Sequence, residues 1–166
     1  MKTAVYPGSF DPITNGHVDI ITRGLKIFDK IIILVAHNPE KRYLFSVEER
    51  MDMIREVIKG HEKDHGRLKV DCAAGLLVEY VKNSGADVIL KGLRAVSDFE
   101  YEFQMTLINR RLSRDIETVF LMTGFQWFFI SSSIVKEAAS LGGSVKGMVP
   151  DIVYQRLQQK YGFSAS

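Results

Sequence analysis

Lys30-Ile31-Ile32-Ile33-Leu34-Val35-Ala36 is apolar at almost every position and rich in β-branched residues. Such a run predicts a strand covered on both faces rather than one with a wet side. Four shorter runs flank it in sequence: Thr3–Tyr6, Leu68–Cys72, Val88–Leu90 and Thr118–Met122. Helical spacing fills the gaps. His17–Phe28 places Val18, Ile21, Leu25 and Phe28 three or four residues apart. Ser46-Val47-Glu48-Glu49 fits a capping box. It opens a helix with Val47, Met51, Ile54 and Ile58 on one face, stopping near Gly60. Leu76–Asn83, Asp98–Ser113, Ser132–Leu141 and Asp151–Tyr161 complete the set, with Phe99, Phe103, Leu107 and Ile108 expected to point inward. Strands alternating with helices predict an α/β fold: a five-stranded, mainly parallel sheet with helices on both faces.

The chain has 166 residues, which suits a single domain over 1–166. Lys and Arg total 22 against 20 Asp and Glu, a net charge of +2. That argues against bulk binding of nucleic acid, which calls for a strong basic excess, but leaves a local phosphate site open. The single cysteine, Cys72, excludes an internal disulfide framework and is expected to be a buried, inert thiol. No apolar stretch is long enough to span a membrane. Met1–Pro7 is too short and too soon broken to be a signal peptide, so the cytoplasm is the expected compartment. The Walker-type phosphate loop, the dinucleotide-binding glycine fingerprint and the nucleophile elbow are all missing. His61 and His65 sit in a polar run that reads as a solvated turn rather than a metal site.

In parallel α/β sheets, ligands bind beyond the carboxyl ends of the strands. The loops there are Pro7–Gly16, His37–Phe45, Lys91–Ser97 and Thr123–Ser133. In the first, Gly8 allows tight turning or close approach to a ligand, and Ser9 adds a hydroxyl. Gly16-His17 stands where a helix begins, beside backbone N–H groups and the positive end of the helix dipole. In the last, Ser131-Ser132-Ser133 offers hydroxyls and N–H groups suited to a phosphate tail, with Lys136 a turn on to add charge. Asp11 reads as a residue that shapes its loop. The aromatics Trp127, Phe128 and Phe129 suit core filling as well as base stacking, and Arg110, Arg111 and Arg114 read as a solvated or subunit-contacting face.

Two of these stretches and a third carry a resemblance. Thr14-Asn15-Gly16-His17 is similar to the [HT]-x-G-H motif, and Ile130-Ser-Ser-Ser-Ile-Val-Lys136 to the I-S-S-[ST]-x-x-[RK] motif, of the α/β-phosphodiesterase nucleotidyltransferases. Lys91-Gly92-Leu93-Arg94-Ala95-Val96-Ser97-Asp98-Phe99-Glu100-Tyr101-Glu102 resembles a segment of the bacterial phosphopantetheine adenylyltransferase family. The resemblance implies a Rossmann-like domain that moves AMP from ATP to 4′-phosphopantetheine, giving dephospho-coenzyme A and pyrophosphate. It implies Mg²⁺ with the ATP, coenzyme A as a possible feedback ligand, and a homohexamer.

Carried over by position, His17 would bind the ATP phosphates and stabilise the transition state. Ser9 and Phe10 would contact ATP, and Ser9 the acceptor phosphate as well. Other ATP contacts would fall on Gly92, Leu93, Arg94 and Glu102, and on Trp127, Phe128, Phe129, Ile130, Ser131, Ser132 and Ser133. Lys41, Leu77, Lys91 and Asn109 would serve the acceptor. Lys91 stands where the family has arginine, which keeps the charge but loses the two-pronged fork. No carboxylate cage for a metal is evident in the sequence. A sister transferase for another phosphorylated acceptor, and a nucleotide-binding module without activity, are the alternatives. The segment through Glu102 opposes the first, and the intact Gly16-His17 and Ser131–Ser133 oppose the second.

Overall fold

A computed structural model of the chain describes residues 1–60, 66–94 and 96–162. The run at His61 and His65, expected as a solvated turn, lies outside the described residues, as does Ala95. The strands are β1 (Thr3–Gly8), β2 (Lys30–Ala36), β3 (Leu68–Ala73), β4 (Val88–Leu93) and β5 (Glu117–Met122). The helices are α1 (Asn15–Gly24), α2 (Val47–Lys59), α3 (Leu77–Ser84), α4 (Val96–Leu112), α5 (Ser132–Ser140) and α6 (Asp151–Tyr161). All four strand pairings are parallel, in the order β3-β2-β1-β4-β5. The expected α/β architecture is therefore observed, with a fully parallel sheet.

The central strands show why. Ile31, Ile33 and Val35 of β2, with Ala4 and Tyr6 of β1, pack against α1, α2, α5 and α6. Val5, Ile32 and Leu34 face the other way and meet Val78 and Val81 of α3. Successive residues point to opposite faces of a strand, so only a run apolar at every position satisfies both layers. Lys30–Ala36 is that run.

The order in which strands join the sheet reverses between β1 and β4, which lie side by side and parallel although two strands separate them in sequence. Crossovers leave this point in opposite directions and open a crevice at the carboxyl edge. Gly24 lets α1 lie close on the sheet, since a Cβ there would come within 2.8 Å of Ile31 Cδ1 and 3.0 Å of Leu90 Cδ2.

Several expectations need correction. Helix α1 begins at Asn15 and ends at Gly24, not at His17 and Phe28, because Thr14 caps it and Leu25–Phe28 wind into tight turns. Strand β4 runs on through Lys91 and Gly92 to Leu93, so those residues are strand rather than loop. Cys72 is exposed, because β3 is an edge strand and has no outer neighbour to cover it.

Phe99, Phe103, Leu107 and Ile108 of α4 are also exposed, at 43–53%. That helix turns the polar Asn109 inward, and Ser113 just past its end is buried as well. Arg110 pairs with Glu117 across 3.5 Å of open surface.

The central strand also sets the stability expected of the chain. Ile33→Ala should lower the free energy of unfolding by about 2–5 kcal/mol, because Ile33 is fully buried in β2, an interior strand. Ile27→Ala, at a side chain 54% exposed, should change it by about 0.5 kcal/mol or less. Urea titrations of the two variants test the contrast.

Candidate functional site

A cleft of about 910 Å³ opens at the carboxyl edge, over the reversal point between β1 and β4. Its walls include Ser9, His17, Lys41, Leu77, Lys91, Gly92, Arg94, Glu102 and Ile130–Ser133. The cleft thus gathers residues from all four loops singled out in the sequence. Phe10, Leu93 and Asn109 lie outside its lining and are buried. Trp127, Phe128 and Phe129 also lie outside it, with Phe129 largely exposed.

His17 is held by the start of its own helix. The Thr14 hydroxyl accepts the His17 amide, and His17 Nδ1 accepts the Thr14 amide at 3.0 Å, a reciprocal capping box with histidine in place of the usual glutamate. Because Nδ1 gives its lone pair to an amide, the ring proton sits on Nε2. That leaves one N–H for the cleft. The Phe10 ring braces the imidazole edge-to-face, with centroids 5.1 Å apart. Burial, and after it the charge of Arg94, pushes the His17 pKa down to about 4. At neutral pH the residue is therefore an uncharged hydrogen-bond donor, not a cation and not a spare base.

The first loop is fixed from several sides. Phe10 adopts φ +46°, a conformation that costs free energy outside glycine. Gly8 makes room for the Phe10 ring, whose nearest atoms would lie 3.0 Å from a Cβ there. Asp11, which is buried, accepts the amides of Leu44 and Phe45 at 3.0 and 2.9 Å. Its third partner corrects the sequence reading: Lys136 pairs with Asp11 at 2.6 Å and does not line the cleft. A spacing of one helical turn from the serines placed Lys136 near a ligand, but a carboxylate 125 residues away in sequence captures its ammonium.

The serines are partly committed too. Ser131 caps α5 by accepting the Ile134 amide at 3.1 Å, and the Ser132 hydroxyl donates to Pro12 O at 2.8 Å. For an incoming anion the segment therefore offers chiefly backbone N–H groups at the α5 N-terminus, with Ser133 at the surface. Arg94 donates to Ile130 O at 3.1 Å and so ties the end of β4 to this segment.

The opposite wall carries Lys91, whose ammonium lies 3.1 Å from Glu102 of α4, both side chains about one-fifth exposed. Lys41 sits in a loop shaped by its own bonds: Asn38 N–H to the Tyr43 hydroxyl at 3.0 Å and Glu40 N–H to Asn38 Oδ1 at 2.9 Å. Tyr80 donates to Asp71 at 2.9 Å, and burial with that bond raises its pKa. Sequence reasoning missed Tyr6, Tyr43, Tyr80, Tyr101 and Met105 as lining residues. Met105 was within reach, since it stands one turn beyond Glu102 on α4. The tyrosines carried no such signal.

Chemically the cleft combines fixed cations, a neutral N–H donor and two helix N-termini. It can hold phosphates at more than one position and offset charge growing on their oxygens. Among the described residues there is no cluster of three or more His, Cys, Asp or Glu side chains able to hold a metal, and no helix long and apolar enough to cross a membrane.

Comparison with known proteins agrees with this geometry. The sequence pattern of the cytidylyltransferase-like family matches residues 5–138. A protein of Syntrophus aciditrophicus named phosphopantetheine adenylyltransferase is 59% identical over 160 residues, covering 96% of this chain and 94% of its own. Relatives of the same name from Desulfosudis oleivorans and Dictyoglomus thermophilum are 58% and 54% identical, each aligned over 98% of this chain and over 95% and 96% of their own lengths.

The histidine geometry makes a direct expectation. In ¹⁵N-NMR titrations His17 should remain the neutral Nε2–H form from pH 8 to pH 5, with a midpoint near 4. A midpoint near the ordinary value of 6.5 would contradict the capping arrangement.

Proposed function

Because the chain belongs to the cytidylyltransferase-like family and, within it, to the phosphopantetheine adenylyltransferases, we propose that it transfers AMP from ATP to 4′-phosphopantetheine. Pyrophosphate leaves, and the product is dephospho-coenzyme A, which makes this the penultimate step of coenzyme A synthesis. One observation supports this reading above others: a single cleft lined by Lys41, Lys91, Arg94 and the neutral His17 at the reversal point of the sheet. Two polyanions must be held end to end for this reaction, and the cleft has cations on both walls.

A phosphate oxygen of the acceptor attacks the α-phosphorus of ATP. A new P–O bond forms as the bond to the bridging oxygen of pyrophosphate breaks. The nucleophile is already an anion, so no strong base is required. Alignment and charge neutralisation lower the barrier. His17 Nε2–H donates to an oxygen on which charge grows, and its depressed pKa lets it do so without trapping a proton. Lys41 and Lys91 hold the acceptor phosphate, with Glu102 releasing Lys91 as the anion arrives. Leu77 and Asn109 serve the pantetheine arm, Asn109 from behind the wall.

The nucleotide lies against Ser9, Gly92, Arg94, Glu102 and Ile130–Ser133, which line the cleft; Phe10 and Leu93 back those positions from the core, and Trp127, Phe128 and Phe129 flank them outside the lining. Mg²⁺ enters on the ATP phosphates as part of that substrate and offsets their charge. The described residues offer it no cage of their own. Coenzyme A, which shares the pantetheine arm, would compete as a feedback ligand.

The enzyme works as one domain, residues 1–166, in the cytoplasm. Its copies assemble as a homohexamer. The exposed apolar face of α4, with Phe99, Phe103 and Leu107, supports such contacts. Sedimentation velocity should find a particle of six chains, and a monomer at micromolar concentration would overturn the assembly.

A coupled pyrophosphate assay with a panel of phosphorylated acceptors tests the reaction, and preference for nicotinate mononucleotide would sink it. His17→Ala should lower kcat about 10²–10³-fold while ATP still binds, the pattern of a group that serves the transition state. Lys91→Ala should raise KM for 4′-phosphopantetheine far more than KM for ATP.

A further inference from the structure

Arg50, in the first turn of α2, is 0% exposed. Its guanidinium is satisfied almost wholly by backbone. Nη1 donates to Ser9 O at 2.7 Å and Ala36 O at 3.3 Å, and Nε to Ser46 O at 3.3 Å. The group lies over the Tyr43 ring, 4.1 Å from its centroid. Nη2 is buried without a hydrogen-bond partner among the described residues. None of the ion pairs among the described residues involves Arg50.

A buried charge without a counter-ion and with an orphaned donor is a poor way to fill a core, and an apolar side chain of similar volume would serve stability better. Departures of this kind from local good sense gather at functional sites. The partners of Arg50 point the same way. Ser9, Ala36 and Tyr43 all line the cleft, and Tyr43 closes the loop that carries Lys41. One planar group thus joins the end of β1, the end of β2 and the head of α2 behind the wall where anions bind.

We propose that Arg50 is a positioning residue for the anionic acceptor: its fork and stacking face set the Ser9 backbone and the Tyr43 ring, and through them the Lys41 loop. This rests on the proposed transfer to 4′-phosphopantetheine. A lysine at the position keeps the charge but cannot bond two carbonyls while stacking on a ring. The effect should therefore follow geometry rather than charge.

The test compares wild type, Arg50→Lys, Arg50→Gln and Tyr43→Leu by thermal unfolding, by steady-state kinetics with each substrate varied, and by calorimetric titration with inorganic phosphate. Both Arg50 variants should raise KM for 4′-phosphopantetheine by about tenfold or more, with kcat and KM for ATP within about threefold. Tyr43→Leu should show the same selectivity to a smaller extent.

A folded Arg50→Gln with an unchanged acceptor KM overturns the proposal. So does a loss spread equally over kcat and both KM values, the mark of a merely structural role. If Arg50→Gln does not fold, Tyr43→Leu decides, and an unchanged acceptor KM there overturns it. If wild type releases no pyrophosphate from ATP and 4′-phosphopantetheine, the proposed reaction fails by itself. Arg50 is then judged by affinity for inorganic phosphate, which should weaken in Arg50→Lys and Arg50→Gln, and equal affinity overturns its role.

Discussion

The carboxylate of Asp11 accepts the amides of Leu44 and Phe45 and pairs with the ammonium of Lys136. Those three bonds join the loop after β1, the loop before α2 and the body of α5. Each segment contributes residues to the cleft, and each also buries apolar side chains in the core, Phe10 and Ile13, Phe45, and Val135. The arrangement resembles a keystone: a buried charge is costly alone, but with both oxygens bonded it ties three segments together at once. The strained φ of Phe10 is tolerable in this setting, because the residues on either side of it are tethered, Ser9 by Arg50 and Asp11 by its three partners.

Much of the fold was legible in the sequence because two-sided burial leaves a plain trace. Lys30–Ala36 could satisfy only a strand between two layers, and the box at Ser46 and Glu49 marked a helix start that the structure reproduces bond for bond. The errors have particular causes. The start of α1 was hidden because His17 plays the part that a glutamate usually plays in a capping box. The aromatics of α4 were read as inward because periodic spacing says which residues share a face but not what that face meets. Cys72 was misread because burial of a strand end depends on neighbours that only the strand order supplies.

The site was legible in its parts and not in its pairings. Place in the loops beyond the strands brought out Ser9, His17 and the serines, and the family resemblance added Lys91; the structure gathers them round one cleft. Long-range partners were invisible: Lys136 spends its charge on Asp11, and Ser132 spends its hydroxyl proton on Pro12. Arg50 left a faint signal, since it stands three and four residues before Met53 and Ile54 on the apolar side of α2. A charged residue on a core-facing stripe is worth a question before the structure is known. The net charge of +2 was equally mute, because a sum over the chain does not show that Lys41, Lys91 and Arg94 line one cleft.

The parallel sheet also divides the molecule into two ends with separate duties. Every lining residue from a strand belongs to its carboxyl half or to the loop beyond, while the turns at the other end, such as Gly85–Asp87, never reach the cleft. Lineages and engineers alike therefore have a free hand at one end of the same scaffold. Tags, cross-links or new chain termini placed there would leave the chemistry undisturbed, and variation could accumulate in those turns without trading against turnover.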